Sequence, residues 1–145
     1  MRIGKPGKYI DESFALDYIE SVGLGIDFTA RDLQAEAKAK GLPWEKAKAF
    51  NDSAPVSEFV SVTEFDDLQD LRFKLEVNGH LKQEGWTGDM IFGIRELIAH
   101  VSKFFMLKTG DMIFTGTPEG VGPVKIGDTL VGTLESREMF RFSVK

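Results

Sequence analysis

The chain has 145 residues, a formal net charge of -5 and 42% hydrophobic residues, including 12 Phe. This composition excludes a disordered protein and fits one domain, 1–145, with an ordinary hydrophobic core. The negative charge and the scattered Lys and Arg argue against nucleic-acid binding, which needs clustered basic residues. The absence of Cys excludes a disulfide framework, a cysteine zinc site and a thiol nucleophile.

No apolar run approaches the roughly 20 residues needed to span a bilayer. The first residues also lack the apolar segment of a secretory signal. The sequence therefore predicts a protein that does not enter a membrane and is located in the cytoplasm.

The N-terminal part of the chain predicts one short helix, one buried strand and one longer helix. The short helix is expected over 11–19, and the apolar stretch 22–28 is typical of a strand. Strong helix formers follow over 30–40, with Thr29 as the expected N-cap. Gly41 is expected to end this helix in the position after its C-cap.

The rest of the chain predicts mainly strands. Apolar and charged residues alternate over 71–77, and Asn78-Gly79 predicts a tight hairpin turn into 81–84. A helical stripe of apolar residues runs over 94–105. Short apolar runs predict three further strands, at 112–114, 129–134 and 140–144. The sequence thus predicts a mainly β fold with two helices, in the α+β class.

Three polar side chains are expected to converge where the strand 22–28 meets the following helix. Asp27 lies at the end of the strand, and Arg31 and Gln34 are three residues apart on one helix face. Arg suits bidentate binding of a carboxylate, Gln can donate to an oxygen, and Asp27 suits a metal ion. The alternative is that Asp27 only favours the helix N-terminus, while Arg31 and Gln34 are solvated.

Two further positions are candidates for chemistry. Lys48 stands near Trp44 and Phe50, where partial desolvation could let it stabilise an enolate or move a proton. A surface lysine with a buried stem is the alternative. Thr117, in the glycine-rich stretch 115–122, could present a hydroxyl and an N–H to an anion. A plain turn is the alternative, since the stretch has no Walker sequence.

Several segments match one known family in the same order along nearly the whole chain. These segments are 25–34, 41–50, 54–57, 77–79, 89–92 and 110–123. Together they resemble the fumarylacetoacetate hydrolase family, and within it the acylpyruvase and oxaloacetate decarboxylase branch. The resemblance implies a mixed β-sandwich or roll, and a chain that usually forms a homodimer.

The resemblance also implies an enzyme that uses Mg²⁺ or Mn²⁺ to cleave a C–C bond in a short 2-oxo acid, by acylpyruvate hydrolysis or oxaloacetate decarboxylation. Asp27 matches a metal ligand of the family. Arg31, Gln34, Lys48 and Thr117 match residues that hold the oxo-carboxylate end of the substrate. A metal of this kind stabilises the enolate left by bond cleavage, and Lys48 adds positive charge beside it. Hydratase or isomerase chemistry on 2-oxo-enoates is a related alternative.

One part of the family's metal site has no counterpart in this sequence. The Glu-x-Glu pair of the family comes before the position of Asp27, at a place that would precede Met1. We therefore expect an N-terminally truncated core, or a natural loss of the site. Because one carboxylate is a poor cage for Mg²⁺, little metal-dependent activity is expected from this chain alone. A non-catalytic remnant that binds small anions or only dimerises is the alternative from another class.

Overall fold

The computed structural model describes residues 1–145, which form two compact units. The larger unit comprises Met1–Leu24 and Glu58–Lys145, and the smaller unit comprises Gly25–Ser57. That 1–145 is a single domain stays a prediction. None of the helices combines the length and apolar character needed to cross a membrane.

Two antiparallel sheets form the frame of the larger unit. The first has the order β1-β2-β3, with strands β1 (Arg2–Ile3), β2 (Ile19–Val22) and β3 (Val60–Ser61). The second has four strands: β4 (Arg72–Val77), β5 (His80–Trp86), β6 (Thr129–Leu134) and β7 (Arg137–Ser143). Their order is β5-β4-β6-β7, so that β4 and β6 are the inner strands. The mainly β, α+β prediction is confirmed.

The β4–β5 hairpin turns at the predicted residues. Asn78 and Gly79 have φ values of 54° and 77°, which a tight hairpin turn requires and which Asn and Gly tolerate best. On its other side β4 pairs with β6, where Val77 lies opposite Leu130. The alternating pattern of 71–77 therefore marks an inner strand with one face toward the core.

Helix α3 (Ile94–Phe104) packs its apolar stripe into the core of the larger unit, as predicted. Ile98 is completely buried, and the equally buried Ser102 accepts a hydrogen bond from the Ile10 N–H at 2.9 Å. The core combines this helix with residues from both sheets and their connections: Ile3, Ile10, Ala15, Ile19, Val22, Leu68, Leu71, Ile94, Ile98, Leu107 and Leu134.

Four 3-10 helices complete the larger unit: Glu12–Tyr18, Val62–Glu64, Leu68–Asp70 and Thr87–Asp89. The first is the short helix predicted at 11–19, and Asp11 caps it by accepting from the Ser13 N–H at 2.9 Å. The Ser13 hydroxyl donates to the same oxygen at 2.6 Å. Because both bonds favour the ionised carboxylate, the pKa of Asp11 lies below its ordinary value.

The smaller unit contains helices α1 (Arg31–Ala39) and α2 (Glu45–Lys48). Helix α1 ends in a Schellman motif, in which Gly41 has a φ of 63°. The Gly41 N–H donates to the Lys38 carbonyl at 3.3 Å, and the Leu42 N–H donates to the Ala37 carbonyl at 2.9 Å. The predicted role of Gly41 is therefore confirmed.

Two strand predictions are wrong in extent. The strand expected over 22–28 ends at Val22, and beyond it the segment has no strand assignment, only an isolated β-bridge between Gly25 and Val56. Gly23 and Gly25 interrupt the run and weaken strand pairing. The strand expected at 112–114 reduces to a bridge between Met112 and Arg2, because the neighbouring β1 is only two residues long.

Candidate functional site

Backbone hydrogen bonds hold the segment 26–30 in the smaller unit. Three alternate N–H groups donate to carbonyl oxygens at 2.8–3.0 Å: Ile26 to Pro55, Phe28 to Ser53 and Ala30 to Ala47. Alternate side chains of an extended segment point the same way. The side chains of Asp27 and Thr29 are therefore presented on one side of the segment.

Lys48, the last residue of α2, joins these two side chains. Its Nζ donates to Asp27 Oδ2 at 2.7 Å and to Thr29 Oγ1 at 2.8 Å. The side chains of Lys48 and Asp27 are 34% and 53% exposed, so a ligand can reach them. An ammonium group has three donors. The two bonds fix the position of Nζ and leave one donor for a ligand.

Thr29 does not cap α1, contrary to the sequence prediction. The N-cap is Ala30, whose methyl side chain cannot cap the helix, and the Thr29 hydroxyl accepts from Lys48 instead. This contact was missing from the sequence analysis. The two-residue spacing from Asp27 in an extended segment was a signal that could have found it.

Arg31 and Gln34 share one face of α1, as predicted. Arg31 Nη1 donates to Gln34 Oε1 at 2.9 Å. With its oxygen engaged, the Gln34 amide has its NH₂ group left to donate, and most of the five guanidinium donors of Arg31 also remain. The pair therefore offers several N–H donors, an arrangement that suits a carboxylate ligand.

Thr117 belongs to the larger unit, in the loop between 114 and β6. Its hydroxyl oxygen accepts from Gln83 Nε2, on β5, at 2.9 Å. Gly116 and Gly120 have φ values of 117° and 92°, which side-chain-bearing residues rarely adopt. Gly116 and Gly120 are therefore favoured by the conformation of the loop backbone.

The structure thus assembles Asp27, Thr29 and Lys48 by direct contact, and pairs Arg31 with Gln34 in the same unit. Thr117 has a different partner, Gln83, in the larger unit. The Gln83 contact had no signal in the sequence, because a glutamine in a strand gives no indication of its partner. The chemical roles of all the predicted residues stay predictions.

A divalent metal is the group that the resemblance implies at Asp27. Mg²⁺ requires several oxygen ligands in near-octahedral geometry. Here Asp27 is paired with Lys48, and the chain assembles no group of three or more His, Asp or Glu that could hold a metal ion. The side chains present do not by themselves fit this ion.

Comparison with protein families decides what kind of protein this geometry belongs to. The family described as fumarylacetoacetate (FAA) hydrolase C-terminal matches residues 1–143. The chain belongs to the fumarylacetoacetate hydrolase family. The resemblance seen in the motifs is confirmed, and this family is one of enzymes.

Three curated relatives show the range of named activities. The chain is 48% identical over 143 residues to the mouse mitochondrial oxaloacetate tautomerase, covering 99% of the chain and 65% of the relative. It is 45% identical over 138 residues to the Escherichia coli K12 oxaloacetate tautomerase, covering 94% of the chain and 63% of the relative. It is 43% identical over 128 residues to the Dictyostelium discoideum mitochondrial oxaloacetate decarboxylase, covering 88% of the chain and 59% of the relative. The chain spans at most 65% of these relatives, and its cytoplasmic location stays a prediction.

Solved structures confirm the fumarylacetoacetate hydrolase fold. The fumarylpyruvate hydrolase of Pseudomonas aeruginosa, solved with Mn²⁺ and pyruvate, superposes with a TM-score of 0.90 at 34% identity, over 99% of this chain and 61% of that one. A yeast fumarylacetoacetate hydrolase family protein gives 0.90 at 35% identity, over 100% and 63%. The predicted mixed β architecture is thus the family architecture.

Proposed function

We propose that this chain is the core of an enzyme that cleaves a C–C bond in a short 2-oxo acid through its enolate. Oxaloacetate decarboxylation and acylpyruvate hydrolysis are the candidate reactions. The observation that carries the proposal is Lys48, held at 2.7 Å from Asp27 and 2.8 Å from Thr29 with one donor left. Relatives named for oxaloacetate and fumarylpyruvate, one of them solved with pyruvate, support the substrate class.

Arg31 and Gln34 are proposed to bind the carboxylate next to the keto group. The guanidinium fork matches the two oxygens of a carboxylate, and charge-assisted bonds of this kind are stronger than neutral ones. The hydrogen bond between the two side chains, 2.9 Å long, holds the Gln34 amide with its donors free. Thr117, in the larger unit, is proposed as a further donor to an anionic oxygen.

Lys48 is proposed to stabilise the charge that develops on the keto oxygen. In decarboxylation of oxaloacetate the C3–C4 bond breaks and CO₂ leaves. The electron pair of that bond forms the enolate of pyruvate, which is then protonated at C3. In acylpyruvate hydrolysis, water adds to the distal carbonyl at C4, the C3–C4 bond breaks with its electron pair going to C3, and a carboxylic acid leaves. The same pyruvate enolate results and is protonated at C3. A fixed ammonium beside the enolate oxygen lowers the energy of both transition states.

Keto–enol tautomerisation of oxaloacetate is a second candidate, favoured by the names of the mouse and Escherichia coli relatives. A proton leaves C3, and the resulting enolate is protonated on oxygen, without loss of CO₂. The stabilising role proposed for Lys48 is the same. The two candidates are separated by measuring enol absorbance and pyruvate release on one sample of oxaloacetate.

The metal is proposed to be Mg²⁺ or Mn²⁺, with Asp27 as the one ligand from these residues. When bound, the ion would supply Lewis-acid stabilisation of the enolate. Further carboxylates would have to come from outside these 145 residues, because a single carboxylate does not fill the coordination shell. We therefore propose that the 145 residues bind the 2-oxo acid but turn it over slowly.

Calorimetry with oxalate tests the binding proposal, since oxalate resembles the carboxylate and enolate oxygens of pyruvate enolate. We expect Lys48→Met to weaken oxalate binding about ten- to a hundred-fold, because it removes a charge-assisted hydrogen bond. Lys46→Met, on the same helix and exposed, is the matched control and should leave binding unchanged. Equal affinity of both variants, or no binding by the unmodified chain, would refute the proposal.

Turnover of oxaloacetate and an acylpyruvate, with and without added Mg²⁺, tests the proposed impairment. Oxalate binding together with slow turnover is the expected result. Rates equal to those of the longer relatives would show that these residues complete the site by themselves. If the chain neither binds oxalate nor turns over a substrate, it is a non-catalytic remnant.

A homodimer is proposed as the assembly. Large apolar side chains are exposed at the C-terminal end of α3, where Phe104, Phe105 and Met106 are 66%, 67% and 53% exposed. Apolar patches of this kind mark interaction surfaces. Sedimentation analysis should give a mass twice that of the chain, and Phe105→Glu should shift it toward the monomer. A monomer at all concentrations would contradict the proposal.

A further inference from the structure

The side-chain amide of Gln83 is surrounded by oxygen atoms of the glycine-rich loop. Its Nε2 lies 2.9 Å from Thr117 Oγ1, 2.9 Å from the Pro118 carbonyl oxygen and 3.4 Å from the Glu119 carbonyl oxygen. Carbonyl oxygens can only accept hydrogen bonds. The atom in their midst must therefore be the NH₂ nitrogen, which settles the orientation of the amide.

This orientation determines what the Thr117 hydroxyl can do. A hydroxyl has one donor and two acceptor sites, and here one acceptor site receives the Gln83 N–H. The hydrogen of Thr117 cannot be given back to the same nitrogen. It is therefore available for donation to another group.

The backbone of the loop rests directly on β5. Gly120 has a φ of 92°, and a Cβ at this position would collide with the carbonyl oxygen of Lys82. Pro118 adds a fixed φ between Gly116 and Gly120. The loop thus lies against the strand at Gly120, and Gln83 attaches residues 117–119 to the strand.

We propose that Gln83 is a positioning residue for anion binding. It fastens the loop to β5 and makes Thr117 Oγ1 a hydrogen-bond donor to an anionic oxygen of the 2-oxo acid. The inference rests on the proposed function, which assigns Thr117 to substrate binding. The alternative is that the Gln83 hydrogen bonds only stabilise the loop. In that case they would not determine whether Thr117 Oγ1 donates to the ligand.

The substitution Gln83→Glu separates these two roles. It keeps the size of the side chain but replaces a donor by a carboxylate, which takes the Thr117 hydrogen and repels the carbonyls of Pro118 and Glu119. Thr117→Val removes the donor and keeps the shape, while Thr117→Ser keeps the donor. Lys82→Gln, exposed on the same strand, is the control.

The experiment is a ¹H–¹⁵N NMR titration of the full chain with oxalate, following the amides of 116–122 and 27–48 separately. In the unmodified chain and in Lys82→Gln, the 116–122 amides should shift on addition of oxalate. Gln83→Glu and Thr117→Val should bind about tenfold more weakly, and Thr117→Ser should bind as the unmodified chain. Lowering the pH from about 7.5 to about 4 should partly restore Gln83→Glu relative to Thr117→Val, because the introduced carboxyl then gains a proton.

Three outcomes would overturn the inference. One is that the 116–122 amides do not respond to oxalate while those of 27–48 do, which leaves the proposed function standing. Another is that Gln83→Glu binds oxalate as tightly as the unmodified chain, or stays weak at every pH. The third is that neither set of amides responds, in which case the proposed function fails as well.

Discussion

The two compact units differ in what holds them together. The larger unit has a core of buried apolar residues drawn from both sheets and α3, with Ile3, Ile98 and Leu130 completely buried. In the smaller unit only Ala47, Ser53 and Ser57 are buried, and α1 has no buried residue. There the organisation comes from backbone hydrogen bonds, a Schellman motif and the Lys48 contacts.

This difference agrees with the proposal that Arg31, Gln34 and Lys48 bind the substrate. Burial of large apolar side chains is the main stabilising term in a protein, and it requires the removal of water. A site for a charged substrate needs exposed donors, which are poor core material. The unit that carries Asp27, Arg31 and Lys48 accordingly has few buried side chains, so its substitutions should change binding more than folding.

Large-to-small substitutions in helices of the two units give the strongest test. Ile98→Ala in α3 should lower the free energy of unfolding by about 2–5 kcal/mol, through lost burial and a residual cavity. Leu33→Ala in α1, where Leu33 is 42% exposed, should lower it by well under about 1 kcal/mol. Urea unfolding followed by circular dichroism measures both. Equal losses would contradict the distinction between the units.

A charge-preserving substitution in the smaller unit should change ligand binding and leave the free energy of unfolding unchanged. Arg31→Lys keeps the positive charge but removes the planar fork, so oxalate binding should weaken about tenfold with no change in unfolding free energy. Lys38→Arg, on the same helix, is the control and should change neither quantity. Calorimetry and urea unfolding on the same samples decide. A loss of stability with unchanged affinity would place Arg31 among the structural residues.

Much of the larger unit could be predicted from the sequence because its signals are local and periodic. The alternation over 71–77, the Asn78-Gly79 turn and the stripe of α3 each report directly on one face or one turn. The predictions at 22–28 and 112–114 were wrong because apolar content does not indicate whether a partner strand is long enough to pair.

The site was predictable only where spacing carried the information. Arg31 and Gln34 lie three apart on a helix, and their contact follows from that periodicity. Lys48 and Gln83 act through partners 21 and 34 residues away, which composition and period cannot reveal. The family resemblance implied a substrate-binding role for Lys48 but none of its contacts, and the partners of both residues came only from the structure.

A smaller effect is expected where backbone conformation alone is tested. Gly41 has a φ of 63°, and no atom lies within 4 Å of the place that an added methyl group would take, so Gly41→Ala meets no steric clash. Its cost, about 1 kcal/mol, should come from the left-handed conformation alone. Gly122→Ala is the control, because that residue has neither a positive φ nor a close neighbour. Urea unfolding should give a lower free energy of unfolding for Gly41→Ala than for Gly122→Ala. The reverse order would contradict the Schellman motif at the end of α1.

The smallest expected effect is on the pH dependence of stability, through the Asp128 carboxyl next to the β4–β5 hairpin turn. Asn78 Nδ2 donates to Asp128 at 2.9 Å and the Lys125 N–H donates at 2.8 Å, which together lower the pKa of the Asp128 carboxyl. A carboxyl whose pKa is lower in the folded state stabilises the protein above its unfolded pKa, about 3.9, and loses that contribution as the pH falls.

Removing one donor should therefore flatten the dependence of stability on pH. Asn78→Gly keeps the positive φ of 54° accessible but deletes the amide. Its urea midpoint should fall less than that of the unmodified chain between about pH 7 and about pH 3. Asn51→Gly, exposed in the smaller unit, adds the same backbone freedom without touching Asp128, so its pH profile should keep the full slope. Parallel profiles for Asn78→Gly and the unmodified chain would show that this hydrogen bond does not set the Asp128 ionisation.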